Sequence, residues 1–184
     1  HLGNYAAKAF DLSYDYIIYS NEKVAEKGHK TEEAINTIDE QLTRYLISLS
    51  GEALSQKESE VLTNILDSSR DLERIGDHAE ALINLNDYLQ RKNVQFSEAA
   101  LEELAEIYLK TSEFVKDALE SVENNDLEKA QALIERHEDI NNMERVLRKT
   151  HIKRLNNGEC STQAGVNFID IISHYTRVSD HAMN

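Results

Sequence analysis

Apolar residues recur at intervals of three and four along almost the whole chain, and strict two-residue alternation is hard to find over any window of six. This periodicity predicts helices and no sheet. Six helical segments follow, at about Tyr5 to Lys27, Thr31 to Ser50, Gln56 to Arg91, Ser97 to Asn124, Asp126 to Leu155 and Ser161 to the end. Gly28 after Lys27 reads as a helix stop, and Thr31 with Glu32 and Glu33 as the next start. The remaining corners are Gly51 with Ser55, Arg91-Lys92-Asn93 with Ser97, Asn124-Asn125-Asp126, and Asn156-Asn157-Gly158 before Ser161. All connections are short, which favours antiparallel neighbours.

The chain repeats itself. Asp71-Leu72-Glu73-Arg74-Ile75-Gly76-Asp77-His78-Ala79 returns 103 residues later as His174-Tyr175-Thr176-Arg177-Val178-Ser179-Asp180-His181-Ala182. Upstream, Ile35, Ile38 and Leu42 match Ile140, Met143 and Leu147 at an offset of 105. The expected fold is therefore all-α, with two tandem three-helix bundles related by an internal pseudo-twofold, the first over residues 1–93 and the second over 94–184, truncated at its C-terminus. On the third helix Leu62, Ile65, Leu66, Ser69, Leu72, Ile75, Gly76, Ala79 and Ile83 form the apolar stripe, and Val166, Phe168, Ile169, Ile172, Tyr175, Val178, Ser179 and Ala182 do so in the second copy. Gly76 and Ser179 occupy matching places, where a small residue permits close helix approach.

Charge narrows the function. The 184 residues carry 34 acidic against 20 basic side chains, a formal net charge of -14 whose average field repels nucleic acid and anionic lipid headgroups and makes cations or a basic surface the natural counterparts. No stretch approaches the roughly 20 apolar residues of a membrane helix, so no direct membrane insertion is expected. One cysteine, Cys160, excludes an internal disulfide framework and leaves the cytosol as the expected compartment. The start at His1 and the stop at Asn184 inside the second motif lead us to expect a fragment.

Glu73 and Asp77 lie one turn apart just off the apolar stripe, where their carboxylates converge and repel unless a cation stands between them. Chance alone yields roughly six such acid pairs in a chain this acidic, and most solvate a helix face. Position beside the core and the return of Asp180 single this pair out as a metal site. Thr176 replaces the first acid in the second copy, so one strong and one weak site are expected. Asp39 and Glu144, each following a core residue on the second helix of its copy, are added to the metal set. His78 and His181 point away from the stripe, as surface histidines beside acids. His174 and His181, seven apart with Asp170 nearby, form a permissive zinc spacing. Tyr5, Tyr14, Tyr16 and Tyr19 read as core and rim residues, and Cys160 as a small residue tucked against a helix start. A ferritin-like di-metal bundle is disfavoured, because the only Glu-x-x-His, Glu26 to His29, straddles Gly28. No phosphate loop, nucleophile elbow or zincin motif occurs, so no catalysis is expected.

The two motifs, one per three-helix repeat, resemble the PhoU family of phosphate-uptake regulators over nearly the whole chain. The resemblance implies that iron or zinc sits on the acid-x-x-x-Asp motifs, a pattern that Glu73 with Asp77 fulfils and that Thr176 breaks beside Asp180. Within the family, His151-Ile152-Lys153-Arg154-Leu155-Asn156-Asn157-Gly158-Glu159-Cys160 looks like the form attached to bacterial sodium-dependent phosphate cotransporters. Free-standing regulators carry a Pro and an Asp-Leu-Arg before the first motif, where this chain, without any Pro, reads Leu54-Ser55-Gln56-Lys57-Glu58. The resemblance implies a non-enzymatic regulatory domain on the cytoplasmic side of the cell membrane. Its partners would be the transmembrane part of the same transporter or a phosphate-signalling protein, together with a second copy of itself as a homodimer. The alternatives are a free-standing PhoU-type regulator and a metal-free helical module that binds a protein partner.

Overall fold

A computed structural model describes residues 1–51 and 54–184. Over these described residues the fold is all-α, with six helices: α1 (Leu2–Tyr19), α2 (Glu22–Ser50), α3 (Gln56–Arg91), α4 (Glu98–Glu123), α5 (Leu127–Asn156) and α6 (Thr162–Met183). Four of the starts are the caps read from the sequence. Ser97 accepts from the Ala100 N–H, Asp126 from Lys129 and Ser161 from Ala164, while Ser55 forms a reciprocal capping box with Glu58. Asn93, Asn125 and Gly158 take the left-handed conformation that turns the chain at its corners. Of the corner expected between Gly51 and Ser55, Glu52 and Ala53 lie outside the described residues.

The first break differs from expectation. α1 ends eight residues before Gly28, at Ser20, which is left-handed (φ 50°) and donates its N–H to the Tyr16 carbonyl at 2.9 Å. Asn21 then caps α2 by accepting from the Lys23 N–H at 3.0 Å. α2 runs on through Gly28 and Thr31, whose hydroxyl bonds back to the Lys27 carbonyl. Gly28 serves packing instead of termination: a Cβ there would stand 2.2 Å from Ile83 Cδ1 on α3.

Helices α1, α2 and α3 pack on one another, as do α4, α5 and α6, and the two sets join through α3 against α6 and α1 against α4. One core runs through both, from Ile35, Ile75 and Leu82 through Phe10 to Leu104, Phe168, Ile172 and Tyr175. Phe10 meets Tyr175 edge-on at 5.4 Å, and Tyr14 stacks on Tyr108 at 3.6 Å. Each such side chain taken out of water contributes about 1.5–3 kcal/mol. Asp11 fastens α1 to α4 by accepting from Tyr108 and Ser112, both at 2.7 Å, and by pairing with Lys116. Small residues bring helices close as expected: Gly76 lies against Ile35, and Ser179 is fully buried.

Two expected core positions are exposed, Ile65 and Val166. α3 has 36 residues and α2 has 29, but α1 has only 18. At 1.5 Å per residue, the far end of the α2–α3 hairpin outruns the helix that would cover it, which accounts for Ile65 but not for Val166 on α6, and Tyr45, Ile47 and Val61 at that end are exposed too.

Candidate functional site

The α2–α3 seam gathers the acids of the first repeat. α2 brings Glu32, Asn36 and Asp39 along one face, and α3 answers with Ser69, Glu73, Asp77 and Glu80. Asp39 accepts from the Ser69 hydroxyl at 2.5 Å, Asn36 donates to Glu32, and His29 pairs with Glu80 at 3.2 Å. Burial raises the Glu73 carboxyl above its ordinary range, and the neighbouring Asp77 and Asp39 add to this while Arg74 opposes it. Glu32 is raised by burial, then by Glu80, with Asp77 and Glu73 adding their share and the Asn36 bond working against them. Negative charge from both helices thus adds to burial in raising Glu32 and Glu73, a field that a cation relieves. Arg74 supplies part of that relief: its guanidinium lies 2.9 Å from Asp77 and 3.6 Å from Glu73.

The α5–α6 seam is its counterpart with a different donor set. The 105-residue offset places His137, Asn141 and Glu144 where the first copy has Glu32, Asn36 and Asp39. His137 Nε2 meets Asp180 at 2.9 Å, and Asn141 lies 3.4 Å from the same ring nitrogen. Arg177 stands 3.7 Å from Asp180, as Arg74 stands by Asp77. Glu144 pairs with Arg148, which also donates to Ser173 at 2.7 Å. Thr176 turns its hydroxyl to its own helix, onto the Ile172 and Ser173 carbonyls. Of the predicted set, then, the fold brings Asp39, Glu73 and Asp77 to one seam and leaves Asp180 with a histidine and Glu144 with an arginine. Sequence reasoning missed Glu32 and His137. Glu32 was spent on a helix start that does not exist, and the 105-residue offset was the signal that links the pair. Among the described residues, no group of three or more His, Cys, Asp or Glu side chains closes around one point as a bound metal ion requires.

The histidines correct a further expectation. His78 is half-buried, not on an open surface, because the side of α3 opposite its α1–α2 stripe packs on α6. Its Nδ1 lies 3.0 Å from His174 Nδ1, and burial, then His174 and His181, push its pKa down to about 4. His181 does lie beside an acid, Asp71, at 2.9 Å. The zinc spacing of His174 and His181 is not realised: one ring faces His78 and the other Asp71. Cys160 is half-buried, as expected, with its sulfur 3.8 Å from His151 Nε2. Tyr16 is buried and donates to Asp87, whereas Tyr19 is exposed.

Comparison with known proteins gives a consistent picture. The model of the PhoU domain family matches residues 1–85 and 104–184. Among curated proteins, the chain is 29% identical over 172 residues to the phosphate-specific transport system accessory protein PhoU homolog 1 of Thermotoga maritima, covering 94% of this chain and 66% of that protein, so it spans just under two thirds of that relative's length. Among solved structures, that of PhoU from Pseudomonas aeruginosa matches with a TM-score of 0.90 at 17% identity, over 100% of this chain and 87% of its own. The phosphate transport system regulatory protein PhoU from Streptococcus pneumoniae matches with 0.85 at 22%, over 100% and 85%.

Proposed function

This chain belongs to the PhoU domain family, and from that premise we propose that it is a non-enzymatic regulator of phosphate transport, of the free-standing accessory type. The observation that carries this reading is the family match across both repeats, over residues 1–85 and 104–184, which include the motifs that end in Asp77 and Asp180. The relatives named above are accessory and regulatory proteins, which supports the free-standing form over the transporter-attached one. The phosphate connection and the cytoplasmic-side placement come from the family. A transport or signalling protein is the expected partner, and a second copy of the chain remains a further one.

Metal binding belongs to the same proposal. The first seam offers donors of the kind iron or zinc accepts, since Glu32, Asp39, Glu73 and Asp77 are carboxylates on two facing helices, and a shift of those side chains would bring them around one ion. The second seam fits it poorly, with one carboxylate, Asp180, already on His137 and with Glu144 neutralised by Arg148. A bound metal would supply a cross-link between α2 and α3. The chain's own contribution is Arg74, which holds Glu73 and Asp77 together and must yield Asp77 before another cation takes it. Binding energy linked to one arrangement of the two helices then biases what a partner meets.

The function is tested by measuring phosphate uptake in cells that lack the chain and in cells in which it is restored. A regulator predicts that uptake no longer responds to external phosphate without the chain, and responds again when wild-type protein returns. Unchanged uptake in both conditions contradicts the proposal.

A further inference from the structure

Charge is unevenly spread on this acidic molecule. Residues 145–158 contain Arg145, Arg148, Lys149, Lys153 and Arg154 and no acid, so a quarter of the chain's 20 basic side chains falls within ten residues. The other half of the same helix is acidic, with Glu128, Glu135, Glu138 and Asp139. α5 packs only on α4 and α6, which leaves its outer side uncovered. On that side Arg145, Lys149, Ile152 and Lys153 are exposed and Arg148 is half-exposed, and together with Glu144 they line one shallow groove. Val146 and Ile152 stand among the cations, 63% and 42% exposed.

The helix dipole does not account for this pattern. It rewards cations in the last turn, which holds Lys153 and Arg154, and fades before Arg145 and Lys149. Internal pairing does not account for it either. Arg148 and Arg154 are tied to Glu144 and Glu103, but Arg145, Lys149 and Lys153 form no ion pair among the described residues. Unpaired cations interleaved with exposed aliphatics form the face of an interfacial helix. A single-stranded nucleic acid would call for aromatic stacking partners, of which this stretch of α5 has none apart from the buried His151, and the phosphates of a duplex give Val146 and Ile152 no role. An acidic polypeptide satisfies the cations but gives Val146 and Ile152 no role, whereas the boundary of a bilayer accepts both groups at one depth.

We propose that the outward face of the C-terminal half of α5 docks on an anionic, phosphate-bearing lipid surface, without any segment inserting across it. The remaining acids do not forbid this, because charges more than a Debye length of about 8 Å from the surface are screened at physiological salt. Each cation near an anionic leaflet strengthens binding about fivefold, so the triple variant Arg145→Gln/Lys149→Gln/Lys153→Gln is expected to bind about a hundredfold more weakly.

The test is sedimentation of the chain with phosphatidylcholine vesicles, with and without phosphatidylglycerol. The expected result is binding only when phosphatidylglycerol is present, weakened by added salt and lost in the triple variant. A control variant, Lys57→Gln/Lys92→Gln/Lys110→Gln, removes the same charge from exposed lysines elsewhere and should bind like wild type. Melting curves verify that both variants fold. Equal binding to pure phosphatidylcholine, equal loss in both variants, or absence of binding to phosphatidylglycerol at low salt overturns the proposal. Binding to polyglutamate in place of vesicles assigns the face to an acidic polypeptide and overturns it as well.

Discussion

Gly28 of α2 lies so close to Ile83 of α3 that a Cβ on residue 28 would come within 2.2 Å of the Ile83 Cδ1 methyl. Ile83 is fully buried beside Tyr16 and Ala25, so that methyl has little room to turn away. Gly28→Ala gains about 1 kcal/mol of helix propensity but overpacks the seam by about 1–3 kcal/mol. A net loss of about 1 kcal/mol is expected in chemical denaturation. Ile83→Val removes the obstructing methyl, so the double variant should be more stable than the sum of the single losses predicts, by about 1 kcal/mol. Additive losses would show that the two residues do not meet.

Ser20 holds a left-handed conformation that costs an L-residue roughly 1–2 kcal/mol and glycine almost nothing. Ser20→Gly should therefore raise the melting temperature, by an amount corresponding to about 0.5–1 kcal/mol once the greater freedom of the unfolded chain is deducted. A lower melting temperature would contradict the break at this residue.

The half-buried pair Glu103 and Arg154 ties α4 to α5, and the inaccessible Glu103 Oε2 and Arg154 Nη1 have no hydrogen-bond partner among the described residues. Removing one member strands the other: Glu103→Ala or Arg154→Ala should each cost about 2–4 kcal/mol. Replacing both with Leu and Met should cost less than either single change, because no charge is then left buried. The denaturation midpoints of the four proteins decide it.

His151 is buried and stacks on Phe168 at a ring distance of 4.2 Å. Burial lowers its pKa, the Arg154 cation lowers it further, and Glu103 opposes them. The unfolded chain therefore takes up a proton near pH 6.5 that the folded chain resists. The stabilising contribution is complete above that pH and is lost as the pH falls below it. His151→Phe keeps the stack and removes the titration, so its loss of stability between pH 7 and pH 5 should be smaller than that of wild type. An unchanged acid slope would mean that His151 carries its proton in the fold.

Four of the six helix starts were legible because they are written locally. Ser55 with Glu58, Ser97, Asp126 and Ser161 each satisfy a backbone N–H within three residues. The first break was not, since glycine is the usual helix terminator, whereas the chain turns at Ser20 and is capped by Asn21. What Gly28 does depends on Ile83, 55 positions away, and no local rule contains that contact. The same holds for His78: a helical wheel displays one buried stripe, while α3 is covered on a second side by α6. Asp77 stands out because it returns as Asp180, Glu73 because it lies one turn from Asp77, and Asp39 because it follows a core residue of α2. Glu32 and His137 needed the offset to be applied to polar positions as well as to apolar ones.

The proposal of metal binding predicts that the carboxylate seam of the first repeat takes a metal and that the second does not. Metal content by mass spectrometry, on protein purified without chelator or polyhistidine tag, tests this most directly in wild type, Glu73→Gln/Asp77→Asn and Asp180→Asn. Wild type and Asp180→Asn should carry iron or zinc, and the double variant should carry none while remaining folded. Metal-free, folded wild type, or equal metal in all three proteins, would contradict it.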